Sequence, residues 1–232
     1  SLARRFPSRG DRGTLAPMSS IVLHGYWRSS CSYRVRIALG AKGLDYATHP
    51  VNLLTGAQLH ADYTSVSPTG YVPTLELGGE AFIESMAILE LLEELHAEPA
   101  LLPKTPTERA RVRALCEIIN AGVQPLQNLN VLRRVSEDAA AQKEWMVHFI
   151  GKGLRAFEHR LEQLETHGVR GPFVYGERFG MADCLLVPQV YAARRQGVDL
   201  GPMARVVRAA EAAGELAFVK AAHPDKQPDA VL

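Results

Sequence analysis

The stretch "AEPALLPKTP", Ala97 to Pro106, carries three prolines in ten residues, has no hydrophobic period, and divides the sequence into two dissimilar parts. Proline fixes its own φ, lacks an N–H and pushes the residue before it toward extended backbone, so neither a helix nor a central strand runs through such a segment. Before it, strand-like and helix-like patterns alternate. After it, helical spacing dominates, and strand character is confined to "FVYG". The expectation is an α/β domain over residues 19–97, a linker at 98–106 and an all-α domain over 107–232.

In the first part, "IVLHGYW" has the β-branched and aromatic bias of a short strand. It runs into "RSSCSYRVRIALGAKG", where Val35, Ala38, Leu39 and Leu44 recur at helical spacing and Gly43 is placed to end an amphipathic helix. "YATHPVNL" then completes a β-α-β unit. "SPTGYVPTLELGGEAFIES" reads as two strands joined at Gly78-Gly79, followed by the helix "ESMAILELLEELH". Beyond the linker four helical segments are expected: "TERARVRALCEIINAGVQPLQNLNVLRRV", "AAAQKEWMVHFIGKGLRAFEHRLEQLETH", "GMADCLLVPQVYAARRQG" and "MARVVRAAEAAGELAFVKAAH". Residues 1–18 are rich in arginine, glycine and proline, and are expected to be a poorly ordered upstream extension or an expression remnant.

Composition narrows the function classes. The 232 residues are 47% hydrophobic, enough for a substantial core, and the charged residues nearly cancel to a net +1. Nothing at whole-chain level favours a nucleic-acid backbone or an anionic membrane, and no apolar run reaches the roughly 18 residues of a membrane span. Cys31, Cys116 and Cys184 are odd in number and far apart, which fits neither a disulfide framework nor a zinc site and points to a reducing cytoplasm. The eight histidines lack close ligand spacing, so no metal is expected.

Chemistry concentrates where Ser29, Ser30 and Cys31 meet the first helix. The first turn of a helix leaves backbone N–H groups without internal partners and concentrates about half a positive charge there, so it holds anions and lowers the pKa of a nearby thiol. Two reactive readings stay open beside simple capping: Cys31 is the working thiol, or the serines hold a thiol brought by a cofactor. A dithiol mechanism is excluded, because the position three residues beyond Cys31 is Arg34. "YVPTL" suits a docking edge in which a cis Val72-Pro73 bond turns the Val72 N–H and C=O outward to pair with an extended peptide. Glu84 and Ser85 begin another helix, where an N-terminus holds a carboxylate and Glu84 an ammonium. A small zwitterionic peptide bearing a thiol fits all three, and glutathione is one.

These residues resemble the glutathione transferase superfamily, and "SSCSYRVRIAL", Ser29 to Leu39, resembles the signature of its zeta class. The similarity continues through "VPTL", "ESMAI", "GVQPLQNLNVL", "MADCLLVPQV", "VDL" and "HPDKQPDA", from about Ile21 to Ala230. It implies a thioredoxin-like N-terminal domain, an all-helical C-terminal domain, a homodimer, glutathione as cofactor and a small dicarboxylic substrate. The implied activity is cis-trans isomerisation of maleylacetoacetate to fumarylacetoacetate in tyrosine catabolism. Isomerisation of maleylpyruvate, dehalogenation of α-haloacids, a monothiol oxidoreductase and a non-catalytic module are the alternatives.

By position, the resemblance implies that Ser29 supports the thiolate beside Ser30 and Cys31. It further implies that Val72 and Pro73 hold the tripeptide backbone, Glu84 and Ser85 its γ-glutamyl end and Gln58 its glycyl carboxylate. Gln124 and Asn128 should face the cleft, and Arg195, with Arg28 adding positive potential, should meet a substrate carboxylate; Arg194 competes for that role. Two positions depart from the family pattern: Glu84 stands where glutamine is common, and Gly180 where serine or threonine usually caps the helix of "MADC".

Overall fold

The computed structural model describes residues 21–230, so the expectation for residues 1–18 lies outside the described residues. The first part runs β1 (Val22–Gly25), α1 (Ser30–Ala41), β2 (Ala47–Pro50), α2 (Ala61–Thr64), β3 (Thr74–Leu77), β4 (Glu80–Ile83) and α3 (Ser85–Leu95). The sheet order is β2-β1-β3-β4. β1 and β2 are parallel, as a helical crossover requires, and β1-β3 and β3-β4 are antiparallel. Gly78 and Gly79 turn the β3-β4 hairpin with φ of 65° and 81°, the left-handed backbone that a two-residue hairpin loop demands. This is the thioredoxin-like arrangement.

The helical part begins one residue earlier than the linker expectation. Pro106 is the first residue of α4 (Pro106–Asn120), where its missing N–H costs nothing, and Thr105 caps the helix by accepting from the Glu108 N–H at 3.3 Å. The expected long helix over 107–135 is divided. Pro125 cannot donate to a preceding turn, so α4 gives way to a 3-10 turn at Gln124–Gln127 and then to α5 (Leu129–Val135). α6 (Ala139–Thr166) and α7 (Met181–Gln196) follow. The last segment also splits, into α8 (Ala204–Gly214) and α9 (Ala217–Ala222), with extended backbone at Leu216 between them. "FVYG" forms only a single bridge between Phe173 and Gly176.

α1 is not amphipathic in the expected sense. Every residue from Ser32 to Leu39 is buried, because the sheet domain covers one side while α7 and α9 pack on the other. The two arginines of "RVRIAL" therefore point into protein. Arg36 is capped by backbone carbonyls, its Nε donating to Ala222 O at 3.0 Å and its Nη2 to Trp27 O at 2.9 Å.

At the far end of α1, Lys42 donates to Glu93 Oε2 at 2.6 Å, to His96 O at 2.6 Å and to Pro99 O at 2.8 Å. Glu93 in turn accepts from the N–H groups of Leu101 and Leu102, which pins the proline-rich connection. The Leu101 carbonyl accepts from the Met181 N–H at 2.8 Å, so the same clamp reaches the start of α7. A Cβ at Gly180 would lie 2.9 Å from that carbonyl oxygen, which explains why a larger cap residue is absent there. Asp183 closes the cap from one side, accepting from the Gly180 N–H at 2.9 Å and the Val174 N–H at 3.0 Å. Burial pushes its carboxyl up to about 7 against the pull of those backbone donors.

Gly153 in α6 lies against Val123, whose Cγ2 would sit 2.0 Å from an added Cβ. That close approach seats the turn carrying Gln124. Gly153→Ala should therefore destabilise the protein by about 1–3 kcal/mol despite alanine's better helix propensity. A denaturant midpoint equal to or above that of the parent protein would show that Val123 yields without cost.

Candidate active site

Ser29 is the N-cap of α1. Its backbone is extended, and its Oγ accepts from the Ser32 N–H at 3.2 Å. Because that bond uses an acceptor lone pair, the Ser29 hydroxyl hydrogen is free to be donated. The N–H groups of Ser30 and Cys31 have no hydrogen-bond partner among the described residues, so three donors cluster where the helix dipole is positive. The turn is braced from behind: Ser32 Oγ accepts from the Tyr26 N–H at 3.3 Å, and Asp229 Oδ2 accepts from the Trp27 N–H at 3.0 Å. Asp229 belongs to "HPDKQPDA", so the C-terminal motif acts by holding the first turn of the site. Cys31 is a free thiol at intermediate exposure, whereas Cys116 and Cys184 are buried and burial pushes both thiols up.

This turn opens on a cavity of about 510 Å³ between the two parts of the chain. Ser29 and Cys31 line it from α1, Gln58 from the loop after β2, and Val72 and Pro73 from the loop before β3. The Val72-Pro73 peptide bond is cis. Tyr63 Oη and Ser67 Oγ both donate to the Tyr71 carbonyl, at 2.7 Å and 2.9 Å, and fix the loop. The Val72 N–H and C=O make no hydrogen bond among the described residues. Glu84 and Ser85 line the cavity where β4 turns into α3, and Gln124 and Asn128 line it from the helical part.

Glu84 has φ 67° and ψ 111°, the one non-glycine residue with positive φ among the described residues. Such a conformation costs about 1–3 kcal/mol and persists where surrounding structure enforces it. Its side chain caps nothing in the protein. The oxygens Gln58 Oε1 and Gln124 Oε1, on two residues that line the cavity, are buried without hydrogen-bond partners.

Three of the expected site residues lie elsewhere. Ser30 and Arg28 are outside the cavity lining although they neighbour Ser29, because successive residues of the turn point in different directions. The Arg28 guanidinium lies over the Trp27 ring, 5.2 Å from its centroid. Arg195 is also outside the lining, at the C-terminal end of α7, close enough to Arg28 to feel its repulsion and beside Tyr191. Arg194 forms a salt bridge with Glu211 at 2.9 Å on the exposed face, while Arg195 has no carboxylate partner among the described residues.

Conversely, Tyr71, Asn120, Asn130 and Arg133 line the cavity although the sequence assigned none of them a role; Tyr71 and Asn130 lie within the stretches "YVPTL" and "GVQPLQNLNVL", Asn120 and Arg133 outside them. Arg133 is its one cationic side chain, and Asn130 Nδ2 donates to Tyr71 Oη at 3.0 Å across the mouth. In sequence Arg133 is an ordinary basic residue in a helix's last turn. Only the break at Pro125 turns it toward the cleft.

Residues 23–100 match the profile of the family described as "Glutathione S-transferase, N-terminal domain". The maleylacetoacetate isomerase of Rhizobium meliloti (strain 1021) is 44% identical over 209 residues, covering 88% of this chain and 96% of its own. Among solved structures, the holo form of a maleyl pyruvate isomerase, described as a bacterial zeta-class glutathione-S-transferase, superimposes with a TM-score of 0.87 at 37% identity, covering 90% of this chain and all (100%) of its own. The maleylacetoacetate isomerase of Anaeromyxobacter dehalogenans 2CP-1, solved with GSH in its active site, gives a TM-score of 0.81 at 46% identity, covering 91% of this chain and 98% of its own. The same enzyme has been solved with dicarboxyethyl glutathione and citrate in the active site.

Proposed function

The chain belongs to the zeta-class glutathione transferases, the family of the maleylacetoacetate isomerases, and from that premise we propose that it converts maleylacetoacetate to fumarylacetoacetate with glutathione as cofactor. The observation that carries the proposal is the convergence on one cavity of the α1 N-terminus at Ser29 and Cys31, the unpaired Val72 backbone and the α3 N-terminus at Glu84 and Ser85. Its volume of about 510 Å³ lies within the roughly 300–1,000 Å³ of small-molecule sites.

The residues present fit the tripeptide. Val72 offers one N–H and one C=O to an extended backbone, Glu84 faces an ammonium, Ser85 and the α3 N-terminus face a carboxylate, and Gln58 faces the glycyl end. Bound glutathione supplies a thiolate whose reversible addition to the conjugated carbon makes a double bond single, so that rotation precedes its departure. The protein's part is electrostatic. Ser29 and the first turn of α1 favour the ionised sulfur, and the Cys31 N–H is the proposed donor to the enolate oxygen. Arg195 is proposed to meet one substrate carboxylate with Arg28 beside it, while Arg133 gives the cavity itself a cation; Gln124 and Asn128 line the cleft from the helical part.

A homodimer working in the cytoplasm on tyrosine-derived substrate is part of this proposal; the free cysteines and the family support it. No helix among the described residues is long and apolar enough to cross a membrane. The test is a spectrophotometric comparison of maleylacetoacetate, maleylpyruvate and dichloroacetate at fixed glutathione. The expected result is the highest kcat/KM for maleylacetoacetate. A preference for either other substrate would reassign the reaction, and no turnover of any at saturating glutathione would leave a binding module.

A further inference from the structure

Arg34 is the largest fully buried side chain of the described residues, at 0% exposure, yet no carboxylate lies within ion-pair distance of it among them. Its Nη1 donates to Ser85 Oγ at 3.1 Å and to Asn120 Oδ1 at 2.9 Å. Its Nε and Nη2 are buried with no partner. A guanidinium keeps its charge in proteins, and burying a charge without an opposite one is strongly unfavourable. The nearby Cys116 does not serve as the counter-ion, because burial pushes its thiol up and keeps it protonated. Both groups that Arg34 does engage line the active-site cavity, one from α3 and one from α4.

Those two bonds fix polarity. A hydroxyl that accepts from a guanidinium has its own hydrogen left to donate. Ser85 is thereby committed as a donor toward the cavity, whereas the Asn120 NH₂ donates to the Glu117 carboxylate at 3.3 and 3.5 Å. With a cation directly beneath Ser85, this corner of the cavity accepts an anion and rejects an ammonium, which is left to Glu84.

We infer that Arg34 is a positioning residue for the cofactor: its buried charge, which no carboxylate of the described residues contacts directly, acts through Ser85 to select the α-carboxylate of the γ-glutamyl group at the N-terminus of α3. This rests on the glutathione reading above and deepens it. It also accounts for Arg34 in structural terms, since bound carboxylate supplies at Ser85 a negative charge that the fold offers only at one remove, through Asn120 to Glu117.

Calorimetric titration of the full-length protein tests this with two ligands, glutathione and its decarboxylated analogue 4-aminobutyryl-cysteinylglycine. Wild type is expected to bind glutathione at least about 100-fold tighter than the analogue, which has no carboxylate to accept charge-assisted hydrogen bonds in a dry site. Arg34→Met should weaken glutathione about 30-fold or more while leaving the analogue's affinity unchanged, and Arg34→Lys should recover part of that affinity. Ser85→Ala should cost far less in the Arg34→Met background than in wild type. Equal wild-type affinity for the two ligands would overturn the inference without any variant, which covers the case in which Arg34→Met does not fold. A folded Arg34→Met variant that binds glutathione normally would overturn it while leaving the proposed function intact. Absence of wild-type glutathione binding would overturn both.

Discussion

Ser29→Ala is expected to lower kcat/KM for isomerisation by about 100-fold or more, the loss seen when a preorganised donor to a developing or held anion is removed. The Ser29 hydroxyl accepts from the Ser32 N–H, so its single hydrogen is available to a sulfur anion in the cavity. Alanine removes that donor and also the cap, which by itself costs about 1 kcal/mol of stability. Ser29→Thr separates the two effects, because it keeps both a hydroxyl and a cap; it should recover most of the stability and part of the rate. Cys31→Ser should retain a substantial fraction of the activity, since its proposed contribution is the backbone N–H, which serine keeps. The ultraviolet absorbance of thiolate, titrated with glutathione bound, gives the direct readout: the sulfur's pKa should rise toward its free value of about 8.5 in Ser29→Ala. The opposite pattern, an active Ser29→Ala and a dead Cys31→Ser, would assign the chemistry to a mixed disulfide at Cys31 instead.

Lys42→Met is expected to lower stability by about 3–5 kcal/mol, the typical cost of removing one partner of a buried ion pair. The side chains of Lys42 and Glu93 are 0% and 5% exposed, and the ammonium uses all three of its hydrogens inside the protein. For a chain of this size the melting temperature should fall by roughly 10 °C. Many buried pairs are replaced by apolar residues at little cost, but this one should not be. Replacing both partners with apolar residues would orphan the carbonyls of His96 and Pro99 and the N–H groups of Leu101 and Leu102, so the double variant should be no more stable than the single one. Calorimetric melting of Lys42→Met, Glu93→Leu and the double variant checks this. A double variant restored to wild-type stability would show that the backbone finds other partners and that the clamp is dispensable.

Much of the site was legible because its parts are local. Ser29 caps α1, and Gly78-Gly79 turns a hairpin, for reasons contained in a handful of adjacent residues. The strand directions in the sheet follow from the same short-range logic, since a helical crossover makes β1 and β2 parallel and a two-residue turn makes β3 and β4 antiparallel. Family resemblance then carried Gln58, Gln124 and Asn128 onto the walls of one cavity, which no period or spacing indicated. It carried Arg28, Ser30 and Arg195 as well, and these stand beside the cavity rather than in its lining.

What the chain's own order of residues determined was therefore the division at the prolines, the alternation of elements before it, the helical content after it, and the capped first turn with its serines. Tertiary structure alone decided that α1 is covered on both sides, so that Arg34 became a buried cation and Lys42 a clamp, although both look like ordinary surface residues of a helix. It also decided that Asp229, some two hundred positions away, braces Trp27, and that Arg133 faces the cleft. The physical reason is one of range: capping, turn and period are set by neighbours within a few residues, whereas the worth of a charge depends on which distant groups exclude water from it.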